Sequence, residues 1–145
     1  MKIIKYFIIY FFLIFATSAN TAENFFENAK NLYEKEKYDD SKFLFQRNIV
    51  FNPKDAKSYL YLAKIFNFEE NEKEEKKNLN TTLLLQSDNE EAMYMLINIY
   101  LKNSDYSKVK ELKEKFSIIC TDLCEKNKII DKNLKDIEPK NESQQ

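Results

Sequence analysis

The chain contains no glycine, no histidine and no tryptophan, and its single arginine is Arg47. Without glycine there is no phosphate-cradling loop and no dinucleotide fingerprint. Without histidine there is no Ser-His-Asp or Cys-His unit and no histidine metal site. Glycine also supplies the positive φ of tight hairpins. Its absence, with Pro53 and Pro139 the only prolines, reads as helices joined by simple turns. Charge of one sign is lacking as well: 23 basic residues stand against 24 acidic ones. The two signs are interleaved and form no basic stripe, so nucleic acid is not an expected partner.

What is present begins with "MKIIKYFIIYFFLIFATSAN". Lys2 and Lys5 precede an unbroken apolar run, Tyr6 to Ala16, which ends in small residues. A basic start, a short apolar centre and small residues at the −3 and −1 positions form a secretory signal peptide over 1–19, cut before Asn20. The run is short of the roughly 20 residues that span a bilayer. No cysteine lies near the cut, so a lipid anchor is not expected. The expected location is the periplasm, and the alternative is an uncleaved inner-membrane anchor. The remainder suits one domain.

That remainder repeats. "NPKDAKSYLYLAKIF" from Asn52 aligns with "QSDNEEAMYMLINIY" from Gln86, a shift of 34 residues. Leu62 falls on Leu96 and Phe66 on Tyr100, and the same shift backwards brings in Phe25, Ala29 and Leu32. The segments are 22–55, 56–89 and 90–123. A bulky position holds Phe25, Tyr59 and Met93; a small one holds Ala29, Ala63 and Ile97; an aromatic one holds Leu32, Phe66 and Tyr100. Tyr38 and Tyr106 open a second helix in the outer segments.

These segments resemble tetratricopeptide repeats, whose period is 34 residues. The resemblance implies an all-α superhelical stack of three helix-turn-helix hairpins. Each hairpin buries too little alone to offset the entropy of ordering, and stacking makes the apolar seam continuous. Met93, Leu96 and Tyr100 should then meet Leu79 and Leu83. Several residues depart from the pattern. Ile97 is large for its place, Glu72 replaces the tyrosine, Glu75 replaces a small residue, and Lys113 replaces an aromatic. The run "EENEKEEKKN" makes the second helix of the middle repeat the weakest, packing only from Leu79 onward.

An array must end in a helix with one polar face. The segment 122–137 fits, with Leu123, Ile130, Leu134 and Ile137 on one side and Thr121 as its cap. The tail 138–145 has no apolar content and reads as disordered. Cys120 and Cys124 bracket Thr121. An oxidising compartment favours a disulfide between them; free buried thiols and a redox pair are the alternatives. Residues four apart in a helix carry parallel Cβ vectors, so the link requires Cys120 just outside the helix. A cysteine pair near a capping helix is similar to what some short secreted bacterial tetratricopeptide proteins carry.

Carboxylate pairs such as Glu69/Glu70, Glu74/Glu75 and Glu90/Glu91 read as solvated faces, lacking the burial a general acid needs. No calcium loop exists. We therefore expect no catalytic residue, no cofactor, no metal and no small-molecule substrate. The resemblance implies instead a concave groove lined by the first helices, formed by Phe26, Lys30 and Tyr33, then Leu60, Lys64, Asn67 and Phe68, then Tyr94, Asn98, Leu101 and Lys102. Apolar residues there would supply affinity. The lysines would meet acidic groups, and the asparagines a peptide backbone. The expected function is a non-enzymatic adaptor or assembly factor binding a partner peptide or helix, with a homodimer a second use of the same face. Alternatives are a membrane-anchored scaffold and a helical carboxylate-dependent hydrolase.

Overall fold

The computed structural model of the chain describes residues 21–137. The expected signal segment 1–19 and tail 138–145 lie outside them. The described residues form α1 (Thr21–Glu34), α2 (Tyr38–Phe51), α3 (Ala56–Phe68), α4 (Glu72–Leu85), α5 (Glu90–Lys102), α6 (Tyr106–Ile119) and α7 (Lys126–Ile137), with no strand among them. The 34-residue phase is held by the backbone: α2, α4 and α6 start at Tyr38, Glu72 and Tyr106, and α3 and α5 at Ala56 and Glu90.

The turns inside the hairpins are less simple than the absence of glycine suggests. Glu36, Glu70 and Ser104, at equivalent places, have φ of 58°, 57° and 58°. Each first helix closes by the same pair of bonds. Lys37 N–H donates to the Leu32 carbonyl at 2.9 Å and Glu36 N–H to Tyr33 at 2.9 Å; Asp105 and Ser104 do the same to Tyr100 and Leu101 at 2.9 and 3.1 Å. This is a Schellman closure, which glycine usually occupies because a Cβ is costly at positive φ. Ser104→Gly should therefore stabilise the protein, by about 0.5–1 kcal/mol after the entropy lost by the freer chain. Urea denaturation followed by circular dichroism reads this directly, and a loss of stability would contradict it.

The chain divides into two compact units, with the boundary inside α3 after Ser58. In the first unit α1 lies on α2 at the small residue Ala29, which is fully buried. The Ser41 hydroxyl donates to the Ala29 carbonyl at 2.8 Å. Phe26 meets the buried Phe45 edge-on at 5.7 Å. Phe25 stacks on Phe51 at 5.7 Å, with the Arg47 guanidinium 4.6 Å from the Phe25 ring centre. The buried Asn48 amide donates to Asp55 at 2.8 Å and to the Ser58 hydroxyl at 2.9 Å, tying the start of α3 to α2.

The second unit carries one apolar core. Leu79 of α4, Met93, Leu96 and Ile97 of α5, Val109, Leu112 and Phe116 of α6 and Ile130 of α7 pack together, with Leu83, Tyr100, Leu123 and Leu134 at the margin. Met93, Leu96 and Tyr100 thus share a cluster with Leu79 and Leu83, as stacking requires. The expectation for α4 needs correction. It is not frayed before Leu79: the Asn71 side chain caps it by accepting from Glu74 N–H at 3.3 Å, and Glu75 and Asn78 are already buried. Lys113, which stands where an aromatic was expected, ion-pairs with Asp131 of α7.

The terminal helix also starts later than expected, at Lys126 rather than 122. Thr121 does not cap it. The Glu90 carboxylate, at the first residue of α5, takes the donors of this turn instead. It accepts from Thr121 N–H at 2.6 Å, the Thr121 hydroxyl at 2.7 Å, Asp122 N–H at 3.1 Å and Leu123 N–H at 2.7 Å. Cys120 and Cys124 form a disulfide around the same turn, with Cα atoms 5.1 Å apart. Cys120 has extended backbone just past Ile119, and Cys124 also lies before Lys126, so neither cysteine is in the terminal helix and the constraint expected from a helix starting at 122 does not arise.

Candidate functional site

Two cavities lie side by side in the second unit, and α5 contributes to both. The larger, about 710 Å³, is lined by Leu60 of α3, by Tyr94, Met95 and Asn98 of α5, by the turn from Gln86 to Glu91, and by Asp122, Leu123 and Lys126. The smaller, about 200 Å³, is lined by Asn67, Glu72, Glu75, Met95, Asn98, Ile99 and Lys102. Met95 and Asn98 line both, so the two cavities adjoin along α5 and are described together as one depression.

The helix period explains the arrangement. Tyr94, Met95 and Asn98 sit at i, i+1 and i+4, on the face opposite the buried Met93, Leu96 and Ile97. Tyr94 is half-buried, its ring centre 6.2 Å from that of Phe116, and Lys126 lies 5.7 Å above it. Leu60, expected to be exposed, is only 7 % exposed: it forms the floor of the cavity. Leu101 is half-buried against the same core. Phe68 is 66 % exposed but lines neither cavity.

The three lysines expected to meet a partner's acidic groups are engaged within the chain. Lys64 Nζ is 2.8 Å from Glu91 and 4.8 Å from the Tyr61 ring centre. Lys102 is 3.8 Å from Glu72, and Lys30 is 3.8 Å from Glu34. Phe26, Lys30 and Tyr33 belong to the first unit, where Tyr33 packs edge-on to Tyr38 at 5.4 Å. Asn67 donates its amide to Glu75 Oε1 at 3.0 Å, while Asn98 faces solvent at the junction of the two cavities.

Two carboxylates correct the expectation of solvated acidic faces. Glu75 is 4 % exposed. Its burial pushes the carboxyl up from the ordinary 4.5, with the Asn67 hydrogen bond opposing, Glu72 adding to the rise and Lys102 reducing it. Glu90 behaves oppositely: the Thr121 hydroxyl, then the backbone N–H groups of Leu123, Thr121 and Asp122, hold it down at about 2. The signal for Glu75 was legible as a carboxylate in a place meant for a small residue. Nothing in the sequence pointed to Asp122, Leu123 and Lys126, because the turn before α7 brings them to α5.

A second apolar row escaped sequence reasoning altogether. Val50, Leu84 and Ile118 end the second helices at equivalent places and are all strongly exposed. Their common 34-residue spacing was available as a signal. Neither cavity reaches them.

Helical hairpins of this period, closed by the same turn and buried at the same first-helix positions, match solved structures. The fold is that of the tetratricopeptide repeat. The chain is similar to the Yersinia enterocolitica type III secretion chaperone SycD in complex with a peptide of the translocator YopD, with a TM-score of 0.69 and 15% identity over 82% of this chain and 93% of that one. It is similar to the first tetratricopeptide domain of Spaghetti bound to an HSP90 peptide, with a TM-score of 0.71 and 12% identity over 82% and 94%. The Sgt2 tetratricopeptide domain from Aspergillus fumigatus superposes with a TM-score of 0.68 and 10% identity over 81% and 82%. No family model matches the sequence, and no curated protein does. The tetratricopeptide pattern is thinned here by Ile97, Glu75 and Lys113, which occupy places that mark the repeat in sequence.

Proposed function

We propose that this chain is a non-enzymatic adaptor or assembly factor that takes a peptide or helix of a partner protein along α5. The observation that carries the reading is the depression itself. Its two cavities share Met95 and Asn98, the larger has an apolar floor at Leu60 and Tyr94, and both are rimmed by polar groups. Apolar floors with polar rims are what peptide-binding surfaces share. Two of the similar structures hold peptides, of YopD and of HSP90, which supports the same use of the fold here. If 1–19 acts as a signal segment, this binding takes place in the periplasm. Among the described residues no helix is long and apolar enough to cross a membrane.

Glu75 favours a second reading, a carboxylate-dependent hydrolase, since burial and a raised pKa are what a general acid needs. That reading is the weaker one, because no hydroxyl, thiol or imidazole lines the cavity beside it.

A photo-crosslinking residue in place of Asn98 tests the groove. It should capture a partner protein, while the same residue in place of the exposed Glu114 of α6 should not. Equal capture at both positions would refute the assignment.

A further inference from the structure

The smaller cavity has a chemistry of its own. Its volume of about 200 Å³ suits one long side chain, and it opens between α3, α4 and α5. Glu75 lies at its wall, 4 % exposed. Asn67 satisfies Glu75 Oε1; among the described residues Oε2 accepts no hydrogen bond and keeps its contact with the solvent of the cavity. A partner that displaces that solvent must satisfy the oxygen itself, because a carboxylate is costly to desolvate alone. The position is otherwise held by Ser41 and Val109 in the neighbouring hairpins, so the fold does not demand an acid there.

The surroundings show what would satisfy it. Glu72 also lines the cavity, and the one cation, Lys102, stands at the rim with its side chain 74% exposed, 3.8 Å from Glu72. The cavity therefore holds two carboxylates against one ammonium. Asn98 adds an amide whose carbonyl can accept. Beyond it, the larger cavity continues the same sign: Asp88, Glu90, Glu91 and Asp122 line it against Lys126 alone. The sequence suggested a lysine row for an acidic partner. Lys64 cancels Glu91 and Lys102 cancels Glu72, but Glu75, Asp88, Glu90 and Asp122 still outnumber Lys126, so the net field in the depression is negative.

We propose that the smaller cavity is a subsite for an arginine side chain of the partner peptide, with Glu75 receiving the guanidinium. The inference rests on the peptide-binding reading and adds the chemistry of the ligand. Arginine fits better than lysine. Its planar fork can donate to the free Glu75 oxygen and to the Asn98 carbonyl together, and it sheds water more readily than an ammonium. The apolar stem lies along Met95 and Ile99. A bound cation opposes the burial that holds the carboxyl up, by favouring its charged form, so ionisation and binding reinforce each other.

The test uses two blocked peptides of leucine and alanine, one with a central arginine and the other with citrulline, its neutral isostere. Fluorescence anisotropy gives affinities, and the side-chain amide resonances of Asn67 and Asn98 report the place. The arginine peptide should bind on the order of tenfold more tightly, as expected for a hydrogen bond to a charged group. It should also shift both amides. Glu75→Gln should remove the difference between the peptides while raising the thermal midpoint of the free protein, because a buried charge has gone. Lys102→Ala should strengthen the arginine peptide by roughly threefold, since a competing cation is removed. Equal affinity for the two peptides, binding of neither, or an unchanged preference in Glu75→Gln overturns the proposal. Crosslinking from Asn98 reports on the groove independently of charge, so the two failures are distinguishable.

Discussion

Phe116→Ala will destabilise the second unit by about 3–5 kcal/mol, the usual cost of truncating a buried phenylalanine. Phe116 is fully buried and belongs to the cluster that joins α4, α5, α6 and α7. Its ring supports Tyr94 from below at 6.2 Å, so its removal also loosens the floor of the larger cavity. The equivalent places in the other hairpins hold Asn48 and Thr82, which make hydrogen bonds instead of an apolar contact. The effect should therefore fall on the second unit, whose single core Phe116 shares. Urea denaturation should show a lower midpoint with an unchanged slope if the unit still unfolds as one. A loss below about 1 kcal/mol would mean that the site collapses around the gap.

Glu90→Gln is the second large change, and its signature is local. One carboxylate gathers the N–H groups of Thr121, Asp122 and Leu123 and the Thr121 hydroxyl, at the turn closed by the Cys120–Cys124 disulfide. A glutamine presents one acceptor oxygen and turns an NH2 towards donors. Hydrogen exchange should show the three amides losing protection and α7 opening more often, while Leu79 and Leu96 stay protected. The pH dependence follows from the lowered carboxyl. Its contribution to folding is complete above the ordinary value of 4.5 and is lost as the pH falls towards about 2. The wild-type turn should open across that window, and the variant should show no such step. Retained protection in the variant would mean that the disulfide alone holds the turn. A ring this small constrains little beyond the turn itself.

Much of the architecture was legible because it is periodic. The bulky, small and aromatic places at Tyr59, Ala63 and Phe66 recur at Met93, Ile97 and Tyr100, and a shared phase is a one-dimensional property that the chain displays without being folded. The disulfide was legible from the oxidising compartment that the signal segment implies, but its setting was not: the expected helix from 122 held Cys124, whereas both cysteines lie outside the helix that starts at Lys126. The turns were misread. Absence of glycine suggested that positive φ was not needed, whereas the closing bonds of the first helices impose it on Glu36, Glu70 and Ser104. Hydrogen bonding in the turn outweighed the preference of the residue.

The candidate site was half legible. The period of α5 set Tyr94 and Asn98 on one face, and that much belongs to the sequence. Which of those groups remain available is decided by partners distant in the chain. Glu91 takes Lys64, Glu72 takes Lys102, and Asn67 turns to Glu75. The turn before α7 brings Asp122, Leu123 and Lys126 to the cavity, and Glu90 holds it there. Helical periodicity depends on neighbours three and four residues away, so the sequence by itself determined the hairpins and their repeat. The charge and the openings of the depression depend on pairs formed across helices, and only the tertiary structure decided those.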